Sequence, residues 1–405
     1  MIENRSLING KLKTYKKPTS WHAIFPMFLV AFSGGYYNTQ NDIDDSLIPF
    51  KDCAIPEVQK IVSQAQAIIM FLTCASTLVV AGYYGRLSDI KGRVCIIRIS
   101  TLGNFIYVFC DLITAKYYDK IGILLLFFGP FIRGIMAGES VLMATVQAYI
   151  ADCTTTSNRT IVFARLMASL FIGSAIGPFI SSLILKNTKS IVNVFYIALF
   201  VDFINVIYTL FFMPESNELA IQPKQDNDMV KSIHFWERLN VFSALRILFK
   251  ESPAHLTRFA LPCMALADFL LTLVRRPPTL LYAMLKFKWT AYEGSLYYTF
   301  ASMMKLLMMI AILPLLSKFF KRYYHCSSIS FDIWMIRIGI GIDALCLTLS
   351  GLATHVIVFT LAGMLQSFSM LAQPSIRGLI TTLVNRNQVG ELLGAIAILD
   401  SLASK

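Results

Sequence analysis

Long apolar runs separated by short polar stretches dominate the chain. They fall at residues 21–38, 61–84, 94–114, 121–149, 161–185 and 191–213, then at 257–283, 294–317, 333–352 and 355–376. A last run opens near Gln388 and is still running at Lys405. Most are near or above the roughly 20 residues that a helix needs to cross a bilayer, and they lack the roughly ten-residue alternation of barrel strands. Helices also satisfy their own backbone hydrogen bonds in lipid. The pattern predicts an all-α membrane protein with ten complete spans and part of an eleventh. Residues 1–20 read as a tail and 21–213 as an N-terminal six-helix bundle. Residues 214–256 read as a linker, and 257–405 as an incomplete C-terminal bundle. In the linker Phe235, Trp236, Leu239, Phe242, Leu245 and Phe249 recur near helical spacing among Arg238, Arg246 and Lys250. That pattern predicts an amphipathic helix lying at the membrane surface.

Composition agrees with this reading: 56% of the 405 residues are hydrophobic and 15% charged, and the mean hydropathy is +0.61. The net charge of +12 raises the question of a polyanionic partner. However, the segments on one side of the expected membrane carry 21 Lys and Arg against 8 on the other. The positive-inside rule therefore puts the N-terminus in the cytoplasm and accounts for the charge without nucleic acid. Which membrane holds the chain, plasma membrane or an organelle's, is left open. The eight cysteines form no CxxC pair, and neither a Walker A loop, an HExxH helix nor a nucleophile constellation occurs. Neither a cofactor, a metal nor enzymatic chemistry is expected.

The most specific stretch is Gly85-Arg86-Leu87-Ser88-Asp89-Ile90-Lys91-Gly92-Arg93, read as a tight polar loop between the second and third spans. Its glycines permit a sharp turn, its cations mark a cytoplasmic loop, and Asp89 stands among them as an acid. This G-x-L-[SA]-D-x-x-G-R turn resembles the signature loop of the major facilitator superfamily of secondary transporters. Three other stretches resemble that superfamily's patterns. They are Arg133 followed by Ala148-Tyr149-Ile150-Ala151-Asp152, then Gly173-Ser174-Ala175-Ile176-Gly177-Pro178, which is similar to an antiporter motif, and Met213-Pro214-Glu215-Ser216 at the exit of the sixth span. Fungal members, tetracycline-efflux-like members and the proton-coupled folate transporter group are the nearest in pattern. The loop Ser317–Arg322, where a second signature copy would sit, keeps its basic charge but lacks the acid and both glycines.

The resemblance implies two pseudo-symmetric bundles that move a small solute by alternating access, with proton coupling. It also implies a latch in which Gly85, Arg86, Asp89, Gly92 and Arg93 grip the start of the eleventh span. The expected partners are a small solute, protons and the lipid bilayer, with the chain acting as a monomer. A non-transporting receptor or scaffold, or an inactive transporter fragment, is the alternative.

Ionisable side chains inside spans are costly and so mark function or buried pairs. They include Arg133 and Glu139 in the fourth span, Asp202 in the sixth, Asp268 and Arg275 in the seventh, Lys305 in the eighth and Asp343 in the ninth. Family architecture favours Arg133, Glu139 and Asp268 as cavity residues. Asp268 is read either as a proton acceptor or as an ionised group neutralised by Lys305 or Arg275. Six residues separate Arg133 from Glu139, which on one continuous helix sends them to different faces, so no pair is expected. A structural partner is expected for Asp202. Asn38 and Gln366 are candidate cavity residues. Gly173, Gly177 and Pro178 read equally as gating residues or as a close helix-packing surface.

Overall fold

The computed structural model describes residues 7–8, 11–12, 18–35, 56–121, 124–188, 190–217, 245–249, 259–274, 282–283, 286–287, 289, 291–323, 327–385 and 388–403. Apart from the two-residue strands Leu7–Ile8 and Lys11–Leu12, which pair antiparallel, the regular structure is helical. The first span is Trp21–Gly35, the second Pro56–Lys91 and the third Arg93–Ile121. The fourth is broken into Leu124–Ile135 and Glu139–Cys153, the fifth is Arg159–Thr188 and the sixth Ile191–Phe211. The seventh is Ala260–Val274, and the eighth runs from Ala291–Leu307 through a π turn at Met308–Ile312 into Leu313–Tyr323. The ninth is Ser328–Leu352. The tenth runs from Val356–Gln366 through a 3₁₀ turn at Ser367–Leu371 into Ala372–Thr382, and the eleventh is Val389–Ala403.

Among the described residues, 8 helices are long and apolar enough to cross a membrane. The first, seventh and eleventh spans are shorter. Large apolar side chains such as Phe71, Phe200, Leu315 and Leu352 point outward, as they must where the solvent is lipid. The largest apolar cluster of the interior joins both halves. Ala148, Tyr149 and Phe163 from the fourth and fifth spans lie in it with Ile376, Leu393 and Ala397 from the tenth and eleventh. The eleventh span packs along the second and the inner part of the fourth, and the first packs against the fifth.

Four boundaries differ from the sequence expectation. The stretch Gly85–Arg93 is not a loop. Helix continues to Lys91 and resumes at Arg93, so Gly92, at φ +104°, makes the whole turn. The fourth span is interrupted at Met136–Gly138, where Ala137 (φ 70°) and Gly138 (φ 25°) leave the helical region. The tenth span extends to Thr382, which brings Arg377 inside a helix, and residues 317–322 are helical rather than a loop. Of the expected surface helix at 234–250, residues 234–244 and 250 lie outside the described set. Ile247 and Leu248 are buried in the main core, so this part packs against the bundle.

Gly92 is confined twice. Its φ belongs to the left-handed region, and a Cβ there would strike the Glu215 carboxylate. Gly92→Ala is expected to cost about 1–2 kcal/mol of strain, read as a drop of a few degrees in melting temperature in detergent. Gly341→Ala, at a helical glycine with nothing within 4 Å of the added carbon, should not lower the melting temperature and should raise it slightly, since alanine is the better helix former.

Candidate functional site

The turn at Gly92 forms one face of the molecule, and there the two halves meet through defined polar contacts. The Asp89 carboxylate, on the last turn of the second span, accepts from the backbone N–H of Gly390 at 3.0 Å and of Glu391 at 2.7 Å. It thus caps the eleventh span from outside. The first N–H groups of a helix have no partner of their own, and the helix dipole favours an anion at that end. Arg86 adds a second link, its Nε lying 2.7 Å from Glu391 Oε1. The close approach depends on glycines. A Cβ on Gly85 would lie 2.8 Å from the Gly390 carbonyl oxygen, and one on Gly394 would lie 3.0 Å from the Gly85 Cα.

Arg93 binds this contact to the N-terminal half. Its side chain is only 1% exposed, 2.5 Å from Asp89 and 3.1 Å from Asp152 at the end of the fourth span. It also donates to Ser88 Oγ at 2.8 Å. Glu215, from the Met-Pro-Glu-Ser stretch, caps the third span by accepting from the N–H groups of Arg93 (2.8 Å) and Val94 (3.0 Å). Asn217 donates to the Asp89 carbonyl at 2.8 Å. The sequence motif, the end of the fourth span and the exit of the sixth therefore converge on one cluster. Asp152 and Glu215 lay in recognised stretches, but their contacts with Arg93 and with the third span's N-terminus were not anticipated. Glu391 carried no signal except its place near the start of the last run.

Further from the Gly92 face lie two arginine-centred clusters, one per half. In the N-terminal half Arg133 Nη2 is 3.3 Å from Glu139 Oε2, which corrects the expectation that they do not pair. The helix break between them removes the 100° per residue bookkeeping on which that expectation rested. The Arg133 guanidinium also lies over the Tyr107 ring at 5.2 Å. Tyr107 hydrogen-bonds Asp111, a buried acid of the third span that the sequence reading passed over. Asp202 has the structural partners expected of it. Ser33 donates to its carboxylate at 2.9 Å and Asn104 at 3.0 Å.

In the C-terminal half Arg377 is a cation facing Asp268, at 3.0 Å. The same guanidinium nitrogen is 2.6 Å from Asp400 Oδ2. The expected neutralising partners were Lys305 and Arg275. Lys305 is half-buried in the eighth span, and Arg275 lies outside the described residues. Arg377 escaped notice because the apolar run ends at Ile376, one residue earlier. Gln366 donates to Asp343 at 2.9 Å, and Ser369 does so at 3.1 Å. Gly173 is a packing position, where an added Cβ would lie 2.8 Å from the Phe28 carbonyl oxygen and 2.9 Å from the Ala31 Cβ of the first span. Gly177 is buried on the same helix and Pro178 sits within it. Asn38 lies outside the described residues. Among the described residues no group of His, Cys, Asp and Glu is placed to hold a metal ion.

Two helical halves, closed on one face by side chains that reach across to a helix end, define a multi-pass integral membrane protein. The chain belongs to the Major Facilitator Superfamily, whose profile matches residues 23–404. An uncharacterized membrane protein of Schizosaccharomyces pombe is 26% identical over 304 residues, which is 70% of this chain and 46% of that protein. The proton-coupled folate transporter of Bos taurus is 23% identical over 326 residues, 79% of this chain and 65% of that protein. The chain thus spans about half to two thirds of the length of these relatives. Among solved structures, the human organic anion transporter MFSD10 superposes with a TM-score of 0.72 at 14% identity, covering 95% of this chain and 90% of that one. At that identity the likeness concerns the fold.

Removing one member of a buried charge cluster strands the others. Arg377→Leu is expected to destabilise the protein by about 3–5 kcal/mol, measured as a lower melting temperature in detergent. Adding Asp268→Asn to Arg377→Leu should recover part of the loss, because one stranded carboxylate is then gone.

Proposed function

We propose that this protein is a secondary active transporter that moves a small solute by alternating access and couples that movement to protons. The observation that carries the reading is the contact from Asp89 to the N–H groups of Gly390 and Glu391, a polar link between the two halves on one face made by groups that water could replace. Alternating access needs states that differ by a few kcal/mol, and a cap of this kind falls in that range. The excess of Lys and Arg on the Gly92 side supports a cytoplasmic assignment for that face and for the N-terminus. The conformation described is then the one closed to the cytoplasm.

The buried acids of the C-terminal half support protons as the coupling ion. Arg377 serves two carboxylates, Asp268 and Asp400, and burial of a carboxylate favours its protonated form. The bovine relative, a proton-coupled folate transporter, points the same way. The side chain of Asp268 is 4% exposed and that of Asp400 29%, so Asp400 is the member that water reaches and Asp268 the buried base.

Proteoliposomes loaded with a pH-sensitive dye test the proposal. Addition of folic acid, or of other small organic anions and neutral solutes in a panel, should drive proton movement with at least one of them. Asp268→Asn should abolish gradient-driven accumulation of that solute and spare its exchange. If no solute in the panel moves protons, or Asp268→Asn accumulates solute as the wild type does, the proton-coupled reading fails.

A further inference from the structure

The second half lacks the acid of the signature turn. Lys318 and Arg322, the cations at the corresponding place, are exposed on a helix that continues to Tyr323. Yet a buried acid stands one turn into the next helix. Asp332, 4% exposed, accepts from the Thr160 hydroxyl, 2.9 Å to one carboxylate oxygen and 3.0 Å to the other. Thr160 is the second residue of the fifth span, so this carboxylate of the C-terminal half lies at a helix N-terminus of the N-terminal half. The contact is on the Gly92 face. Asp152, which pairs with Arg93, ends the fourth span, and Arg159 begins the fifth after a short turn while donating back to the Ala151 carbonyl at 3.1 Å.

The tenth span is shaped around the same point. A Cβ on Gly378 would lie 2.7 Å from Thr160 Oγ1 and 3.7 Å from Asp332 Oδ2, so a glycine is what lets that helix close over the pair. Arg159 Nη1 reaches Thr381 Oγ1, three residues further along, at 3.5 Å.

We infer that Asp332 and Thr160 form a second latch between the halves, replacing the acid missing from Ser317–Arg322 with one placed on the other side of the same turn. The two latches are related by the pseudo-symmetry of the halves. The turn between spans two and three corresponds to that between eight and nine, and span five corresponds to span eleven. Asp89 of the first half caps the eleventh span, and Asp332 of the second half meets the start of the fifth. Each half thus holds the other by one acid at one helix end, and opening the Gly92 face requires both to release. Asp332 is a positioning residue in this scheme and contacts no solute. The inference rests on the alternating-access reading above.

The experiment places a single cysteine at Ala397, which is 2% exposed within the interface core, in a chain whose eight native cysteines are replaced by serine. The rate of maleimide labelling in membranes then reports opening. Asp332→Asn and Thr160→Val should each raise that rate at least about five-fold, the factor for about 1 kcal/mol, and Thr160→Ser should leave it unchanged. Asp89→Asn should raise it as well. The Thr160 variants test the contact from the other half should Asp332→Asn fail to fold. If Asp89→Asn raises labelling while Thr160→Val and Asp332→Asn do not, the second latch is wrong and the first stands. If none of the three raises it, the Gly92 face is not a gate and the alternating-access reading falls with the inference.

Discussion

A carboxylate at the exposed end of another helix is the interaction on which the closed form of this protein depends. Asp89 can serve the eleventh span only because Arg93 balances it, and Arg93 can be buried only because Asp152 shares it. Glu215 in turn holds the backbone from which Arg93 springs. The four groups come from three different parts of the chain. None is satisfied alone: a lone buried charge costs several kcal/mol, whereas a paired one that also accepts hydrogen bonds does not. The packing follows from this. Gly85 and Gly394 allow the backbone contact that brings the eleventh span's free N–H groups within reach of Asp89.

The same constraint organises the interior. In each half an arginine, Arg133 on the fourth span and Arg377 on the tenth, meets at least one acid. Both spans also depart from regular helix close to the charged group, at Met136–Gly138 and at Ser367–Leu371. Such departures free backbone groups and redirect side chains. The Gly138 carbonyl, which starts the helix after the break by accepting from the Leu142 N–H, also accepts from Ser100 Oγ of the third span at 3.3 Å. Non-helical backbone at membrane depth is tolerated where protein surrounds it or it lines a wet cavity, and both breaks lie inside the bundle. The breaks are thus part of how the charges are placed.

What could be read from the sequence divides along this line. Apolar runs are a property of each segment, so the spans, their order and the turn at Gly92 were legible. Partnerships between distant segments were not. Arg377 sits one residue past the end of an apolar run and so reads as a loop cation, although the helix continues five residues beyond it to Thr382. Arg133 and Glu139 fail to pair on any continuous helix, and only the left-handed backbone at Ala137, a residue type that gives no warning of it, brings them together. Gly138 carried the available hint, since glycine within a span often marks a break or a close contact. Asp332 reads as an ordinary polar residue near a helix start until Thr160, 172 positions away, is placed beside it.

The arrangement also explains why opening need not be costly. When the halves part on the Gly92 face, Asp89 loses two N–H donors and the eleventh span loses its cap, but water can replace both because each group lies at a helix end. Such an exchange leaves a net difference of about 0.5–1.5 kcal/mol per hydrogen bond rather than the full strength of the bond. Arg93 keeps Asp89, Asp152 and Ser88, all on its own side of the interface, so no buried cation is stranded. Among the described residues Arg86 and Glu391 are the ion pair that separates, and theirs is the most exposed of the contacts at this latch, with side chains 36% and 20% accessible. Charges that would be expensive to separate are therefore kept within one half. The polar contacts of this latch that span the interface are ones that water can take over, and this allows the closed form to be both well defined and reversible.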